Sequence, residues 1–181
     1  MRITSGIYKG INILLPKNST IRPTSEKIRM ALFNTLGDLI FNSTMLDIFA
    51  GSGAIGIEAL SRNASAVDFI ERDPKLCKLI NETLIIINQK NLSQVLQGNA
   101  ISILKQLNSK YDFIFADPPY DYENKEEILS IIEKCELLNP AGMIILEHRS
   151  NENINDTLIN IERFDVRKYG DTQISFYKKI N

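Results

Sequence analysis

The sequence predicts an α/β fold, a mostly parallel seven-stranded sheet with an antiparallel C-terminal hairpin, plus a small N-terminal β-hairpin and helix extension. Two observations predict it. Between residues 43 and 147, short apolar runs alternate with stretches of helical period, as in βαβ units whose strands are buried on both faces. Near the C-terminus, two further runs flank Gly170-Asp171, a turn pair that folds them back on each other.

Each element has its own signal. Residues 2–15 alternate loosely around Gly6, Tyr8 and Gly10 and read as a hairpin ending at Pro16, followed by a loop over 16–24. From Ser25, the positions Ile28, Ala31, Leu32, Leu36, Leu39 and Ile40 follow helical spacing, with Thr24 or Ser25 as the cap. Strands are expected over residues 45–49, 66–70, 95–97, 111–116 and 143–147. Helices are expected over 54–61, from Pro74 to about Gln89, over 100–107 and over 124–138. Asp73 caps the second of these, with Pro74 at the first position, where it costs no hydrogen bond. A short helix over 154–161 precedes the last two strands, 164–169 and 173–178. The chain thus divides into an extension, residues 1–40, and a main domain, 41–181.

Composition narrows the function. With 181 residues and 44% hydrophobic content, the chain can bury a core, and disorder is excluded. Apolar runs such as Leu84 to Ile87 are too short to cross a bilayer, and the N-terminus lacks the apolar region of a signal peptide. The expectation is a soluble, cytoplasmic protein with no membrane partner. Cys77, Cys135 and His148 cannot assemble a zinc site, so no metal is expected. The 1–40 segment carries a net charge of +4 and the remainder −5. A basic end on an acidic body suits a polyanionic partner, although an ordinary solvated surface fits the same numbers.

The loop Asp47-Ile48-Phe49-Ala50-Gly51-Ser52-Gly53-Ala54-Ile55-Gly56 lies between the first strand and its helix, where doubly wound sheets bind ligands. Glu71 ends the second strand and can accept both hydrogen bonds of a ribose diol, so a nucleoside derivative is expected. Gly51-x-Gly53-x-x-Gly56 also satisfies the dinucleotide fingerprint, a weak pattern alone. Asp47 would repel a pyrophosphate but suits an ammonium. An ammonium at one end and a ribose at the other describe S-adenosyl-L-methionine.

The run Asp117-Pro118-Pro119-Tyr120 ends the fourth strand on the same edge. Prolines fix the backbone, so a carboxylate and the Pro118 carbonyl can accept both hydrogens of an exocyclic amine while Tyr120 stacks on its base. A conjugated amine is a poor nucleophile. Accepting its hydrogens favours a pyramidal nitrogen and aims the lone pair, so proximity and electrostatics carry the catalysis.

Taken together, these residues resemble the class I S-adenosylmethionine-dependent methyltransferases, a Rossmann-like fold. The specific resemblance is to the bacterial family that methylates guanine 966 of 16S ribosomal RNA on N2. Ile3-Thr4-Ser5-Gly6, Tyr8-Lys9-Gly10, Arg22-Pro23-Thr24, Arg29, Leu32-Phe33-Asn34, the Asp47 loop, Glu58-Ala59, Ser61-Arg62 and Asp117-Pro118-Pro119-Tyr120 carry it, over nearly the whole chain. The resemblance implies that Asp47, Gly51 and Gly53 line the methionine end of the cofactor, with Phe49, Ser52 and Arg72 also in the cofactor site. It places Glu71 at the ribose, and Asn99 and Ala100 beside adenine. Asn99 stands where many class I enzymes have Asp, and can still accept from the adenine amine. Ile11 stands where family members often have Arg, which removes one phosphate contact. Lys9, Arg22, Thr24, Lys27 and Arg29 are then the expected contacts to 16S rRNA in the assembled or assembling small ribosomal subunit, with Arg29–Glu26 pairing as an alternative for Arg29. Other readings are an adenine-N6 methyltransferase, an NAD-dependent oxidoreductase using His148, and a ribosome-assembly protein without activity.

Overall fold

A computed structural model describes residues 1–16, 26–119, 122 and 124–180. Arg22, Thr24, Ser25 and Tyr120 lie outside the described residues. Among the described residues, strands β1 (Thr44–Ile48), β2 (Ala66–Glu71), β3 (Ser93–Gln97), β4 (Tyr111–Ala116), β5 (Leu138–Arg149), β6 (Ile161–Tyr169) and β7 (Thr172–Lys179) form one sheet. Its order is β3-β2-β1-β4-β5-β7-β6. Strands β1 to β5 are parallel, and β7 runs antiparallel to both β5 and β6. The expected α/β sheet with its antiparallel C-terminal hairpin is present. Because β1 has β2 on one side and β4 on the other, the winding reverses between β1 and β4. That reversal opens a crevice beyond their carboxyl ends.

Helices α1 (Glu26–Leu36), α2 (Ala54–Ser61), α3 (Pro74–Ile86), α4 (Ala100–Leu104) and α5 (Lys125–Lys134) cover the two faces. Alternate strand residues point to opposite faces, so the core has two layers. Phe69, Phe113, Phe115 and Ile145 pack under α1, α2 and α3. Leu46, Ile48, Ile114 and Ile144 pack with α4 and α5. All of α2 is buried, in keeping with its mostly apolar composition.

The N-terminal residues join the first layer through Ile3 and Ile13. Gly6 adopts φ +82°, and a Cβ there would stand 1.8 Å from the Ser61 carbonyl oxygen. Beside it, Glu58 is fully buried and accepts from Thr4 N–H (2.9 Å), the Thr4 hydroxyl (2.6 Å) and Ser5 N–H (3.0 Å). Arg29 Nε sits 3.3 Å from Glu58 Oε2, and Arg29 Nη2 donates to the Arg2 carbonyl (2.7 Å). Burial pushes the Arg29 guanidinium below its ordinary value, with Glu58 opposing the shift. Arg29 is therefore no surface contact for RNA. This corrects its assignment, and its ion-pair partner is Glu58 rather than Glu26. The reason is that Arg29 falls on the core side of α1, where a charge survives only when paired.

Other expectations change in detail. The N-terminal hairpin reduces to an isolated bridge, Arg2↔Asn12, because Gly6 and Gly10 turn the chain at positive φ. The first helix stops at Leu36, where Gly37 (φ +52°) tightens it into a 3₁₀ turn. The helix expected over 124–138 ends at Lys134. Glu136 at φ +52° turns the chain into a β5 that begins at Leu138. No helix forms over 154–161. Its Asn and Asp residues favour turns over helix, and Asn155 N–H donates to Glu126 instead (2.9 Å).

Candidate active site

The crevice at the carboxyl ends of β1, β2, β4 and β5 holds a cavity of about 550 Å³. Of the residues expected at the cofactor, Asp47, Phe49, Gly51, Ser52, Glu71, Arg72, Asn99 and Ala100 line it, as do Asp117, Pro118 and Pro119. Gly53 does not. It sits at the α2 N-cap with φ +73°, and a Cβ there would crowd Ile80 Cγ1 at 3.0 Å. Its role is the turn itself. Gly56, the third glycine of the loop, is also structural: a Cβ would stand 2.3 Å from the Phe69 ring of β2.

Glu71 braces the loop. Gly51 N–H donates to Oε2 (2.8 Å) and Asp73 N–H to Oε1 (2.8 Å), so each oxygen keeps a lone-pair direction for another donor. Asp47, 2% exposed, accepts from Gly56 N–H in the first turn of α2 (3.0 Å). It thereby satisfies a helix donor that Gly53, having no side chain, cannot cap. Burial pushes the Asp47 carboxyl well above the usual carboxylate range. The Gly56 N–H opposes that shift, and neighbouring Asp117 and Glu71 add to it. Asn99 caps α4, its Oδ1 accepting from Ser102 N–H (3.1 Å), as its place before Ala100 dictates.

Phe49 takes φ +61°, and its ring packs edge-on against Tyr122 with centroids 5.5 Å apart. Tyr122 N–H donates to the Pro119 carbonyl (2.9 Å). Tyr122, Glu147, Thr172 and Ile28 line the cavity without having been singled out from the sequence. Glu147 had a visible signal, a carboxylate closing the apolar run of a parallel strand. Thr172 and Ile28 had none, because α1 and the β7 start reach the cavity only through tertiary packing.

His148 does not line the cavity. It is 1% exposed, with Nδ1 2.9 Å from the Arg149 carbonyl and Nε2 2.8 Å from the Ser175 hydroxyl. A carbonyl only accepts, so Nδ1 carries the hydrogen and Nε2 accepts from Ser175. Burial lowers its pKa below the usual histidine value, keeping it neutral. It offers no acid–base group to this site. Among the described residues, no group of three or more His, Cys, Asp or Glu side chains could hold a metal ion, and no helix is long and apolar enough to cross a membrane. Lys9 and Lys27 are exposed on the N-terminal side.

Residues 1–178 match the family described as Conserved hypothetical protein 95. The chain is 34% identical over 147 residues to ribosomal RNA small subunit methyltransferase D of Escherichia coli, spanning 81% of this chain and 74% of that protein. It is 30% identical over 181 residues to the protein of the same name from Haemophilus influenzae, spanning 98% and 92%. A solved structure named as a proposed methyltransferase, yhhF of Escherichia coli, superposes with a TM-score of 0.90 at 28% identity, over 99% of this chain and 97% of that one.

Proposed function

Because the chain belongs to the Conserved hypothetical protein 95 family, that of ribosomal RNA small subunit methyltransferase D, we propose that it methylates the N2 amine of a guanine in 16S ribosomal RNA. The substrate in this reading is the assembled or assembling small ribosomal subunit in the cytoplasm. When bound, S-adenosyl-L-methionine supplies an electrophilic sulfonium methyl.

The residues present fit that group. Glu71 keeps a lone pair on each oxygen for two ribose hydroxyls, while its bonds to Gly51 and Asp73 fix its direction. A Cβ at Gly51 would meet nothing nearer than the Phe49 carbonyl oxygen at 3.9 Å, so the backbone there is open to close approach. Glu71 and Asp117 line the cavity beside Asp47, whose proton an ammonium can displace, which suits a cationic ligand and disfavours a pyrophosphate. Arg72, Asn99 and Ala100 bound the far end, where a flat base would rest.

The observation that carries the reading is Asp117 at the same cavity, one strand from Asp47 and followed by buried Pro118. The Asp117 carboxylate and the Pro118 carbonyl accept the two amine hydrogens. They hold the nitrogen lone pair toward the cofactor side and stabilise the positive charge that grows on nitrogen as the bond forms. Tyr120 stacks on the base in this reading. An anionic cavity repels the RNA backbone, so phosphates must be held outside it. Residues 1–40 serve as that RNA-binding extension on the methyltransferase domain 41–181, with Lys9, Arg22, Thr24 and Lys27 as contacts.

Asp117→Ala tests the chemistry. Single-turnover methyl transfer should fall by at least about 100-fold, while cofactor affinity measured by calorimetry stays within a few-fold. An unaltered transfer rate would remove Asp117 from the reaction.

A further inference from the structure

We propose that Glu147 reads the target base, accepting the N1–H that guanine presents and adenine lacks. This rests on the reading of the protein as a guanine-N2 methyltransferase. Glu147 closes the apolar run Ile144-Ile145-Leu146 and is 5% exposed. Its place on the cavity wall sets that carboxylate where a bound ligand can donate to it. The sheet register places it. Ala116 of β4 pairs with Leu146 of β5, so Asp117 and Glu147 leave neighbouring strands at the same level. Both line the cavity, Glu147 with Ile28 and Thr172 on the flank away from Glu71 and Asn99.

The cavity therefore has two halves. The ends of β1 and β2, with Asn99 and Ala100 beyond β3, form the half that suits a nucleoside, and the ends of β4, β5 and β7 form the other. Asp117 stands at the border. A guanine whose N2 amine lies on Asp117 carries its N1–H next along the same edge, toward β5. Two carboxylates on adjacent strands, about 5 Å apart in backbone, match two adjacent donors on one base edge. Adenine instead presents its N1 lone pair beside its amine, and that lone pair would face a carboxylate. Flipped or single-stranded bases are commonly read along this edge. Glu147 is thus a specificity-determining residue, separate from the carboxylate that holds the reacting amine.

The test uses hypomethylated small ribosomal subunits reconstituted with guanosine or 2-aminopurine at the methylated nucleotide. 2-Aminopurine keeps the amine but has a lone pair at N1. The full-length wild type should strongly prefer guanosine. Glu147→Gln should lower kcat/KM on guanosine about 10- to 100-fold and narrow the guanosine to 2-aminopurine ratio by a similar factor, with S-adenosylmethionine affinity unchanged. Glu147→Asp retains the charge, so it should keep the guanosine preference at a reduced rate, and it decides the matter should the Gln variant fold poorly. The inference is overturned if Glu147→Gln keeps the wild-type ratio, or if Glu147→Asp loses the preference. If the wild type places no methyl on guanine N2, it is the broader reading that fails, and the two failures are told apart.

Discussion

Asp47 accepts a hydrogen bond from the first turn of α2 while its carboxyl faces the cavity, and its burial holds a proton on it well into the range where free carboxylates are ionised. The unfolded chain releases that proton near pH 4, whereas the folded chain retains it. Stability should therefore fall as pH rises from the unfolded pKa toward the higher folded one. Asp47→Asn has no proton to lose and can still accept from Gly56 N–H. In calorimetric scans without cofactor, it should melt higher than the wild type above about pH 5 and equally near pH 3. It should also bind S-adenosylmethionine more weakly, by about 10-fold or more, because an amide offers no charge to an ammonium. Equal melting temperatures at pH 7 would contradict the burial argument. Glu71→Ala removes the proposed ribose acceptor and the brace on Gly51 and Asp73 together, and titration calorimetry should show a loss of about 10- to 100-fold in cofactor affinity.

Among the elements, α2 carries the tightest constraints. Gly56 lies against Phe69 and Val67, so Gly56→Ala must push the helix off β2, a change that should cost about 1–3 kcal/mol in chemical denaturation. Arg29→Ala leaves Glu58 buried with one cation fewer, and should cost about 3–5 kcal/mol. That loss should lower the melting temperature by roughly 10 °C, with a smaller proportional effect on single-turnover transfer in the fraction that stays folded. The elements also show what was legible. The span of α2, the Asp73–Pro74 start of α3 and the limits of β4 follow from apolar runs bounded by clear caps. The early start of β5 was hidden because Leu138-Asn139-Pro140 reads as a break, yet Tyr111 pairs with Leu138 before a register shift. The absent helix over 154–161 was a periodicity carried by too few apolar positions. At the site, the glycine loop and the Asp117 motif are local and therefore readable. Tyr122 was masked by its neighbour in the motif, and burial of Arg29 depends on which face of α1 meets Glu58, a tertiary fact.

The whole molecule presents an acidic cavity at one sheet edge and exposed lysines, Lys9 and Lys27, on its N-terminal part. In the proposed reading, the cavity carries the chemistry and the extension binds phosphate. Lys9→Ala with Lys27→Ala should lower the salt slope of small-subunit binding by about two units and leave S-adenosylmethionine affinity unchanged. An unaltered slope would place the RNA contact elsewhere. The central claim is the reaction itself. The direct measurement is incubation of the protein with methyl-labelled S-adenosylmethionine and hypomethylated small ribosomal subunits, followed by digestion of the 16S RNA to nucleosides. The account predicts label in N2-methylguanosine, absent with Asp117→Ala. Label in N6-methyladenosine, or none in RNA from active, cofactor-binding protein, would contradict it.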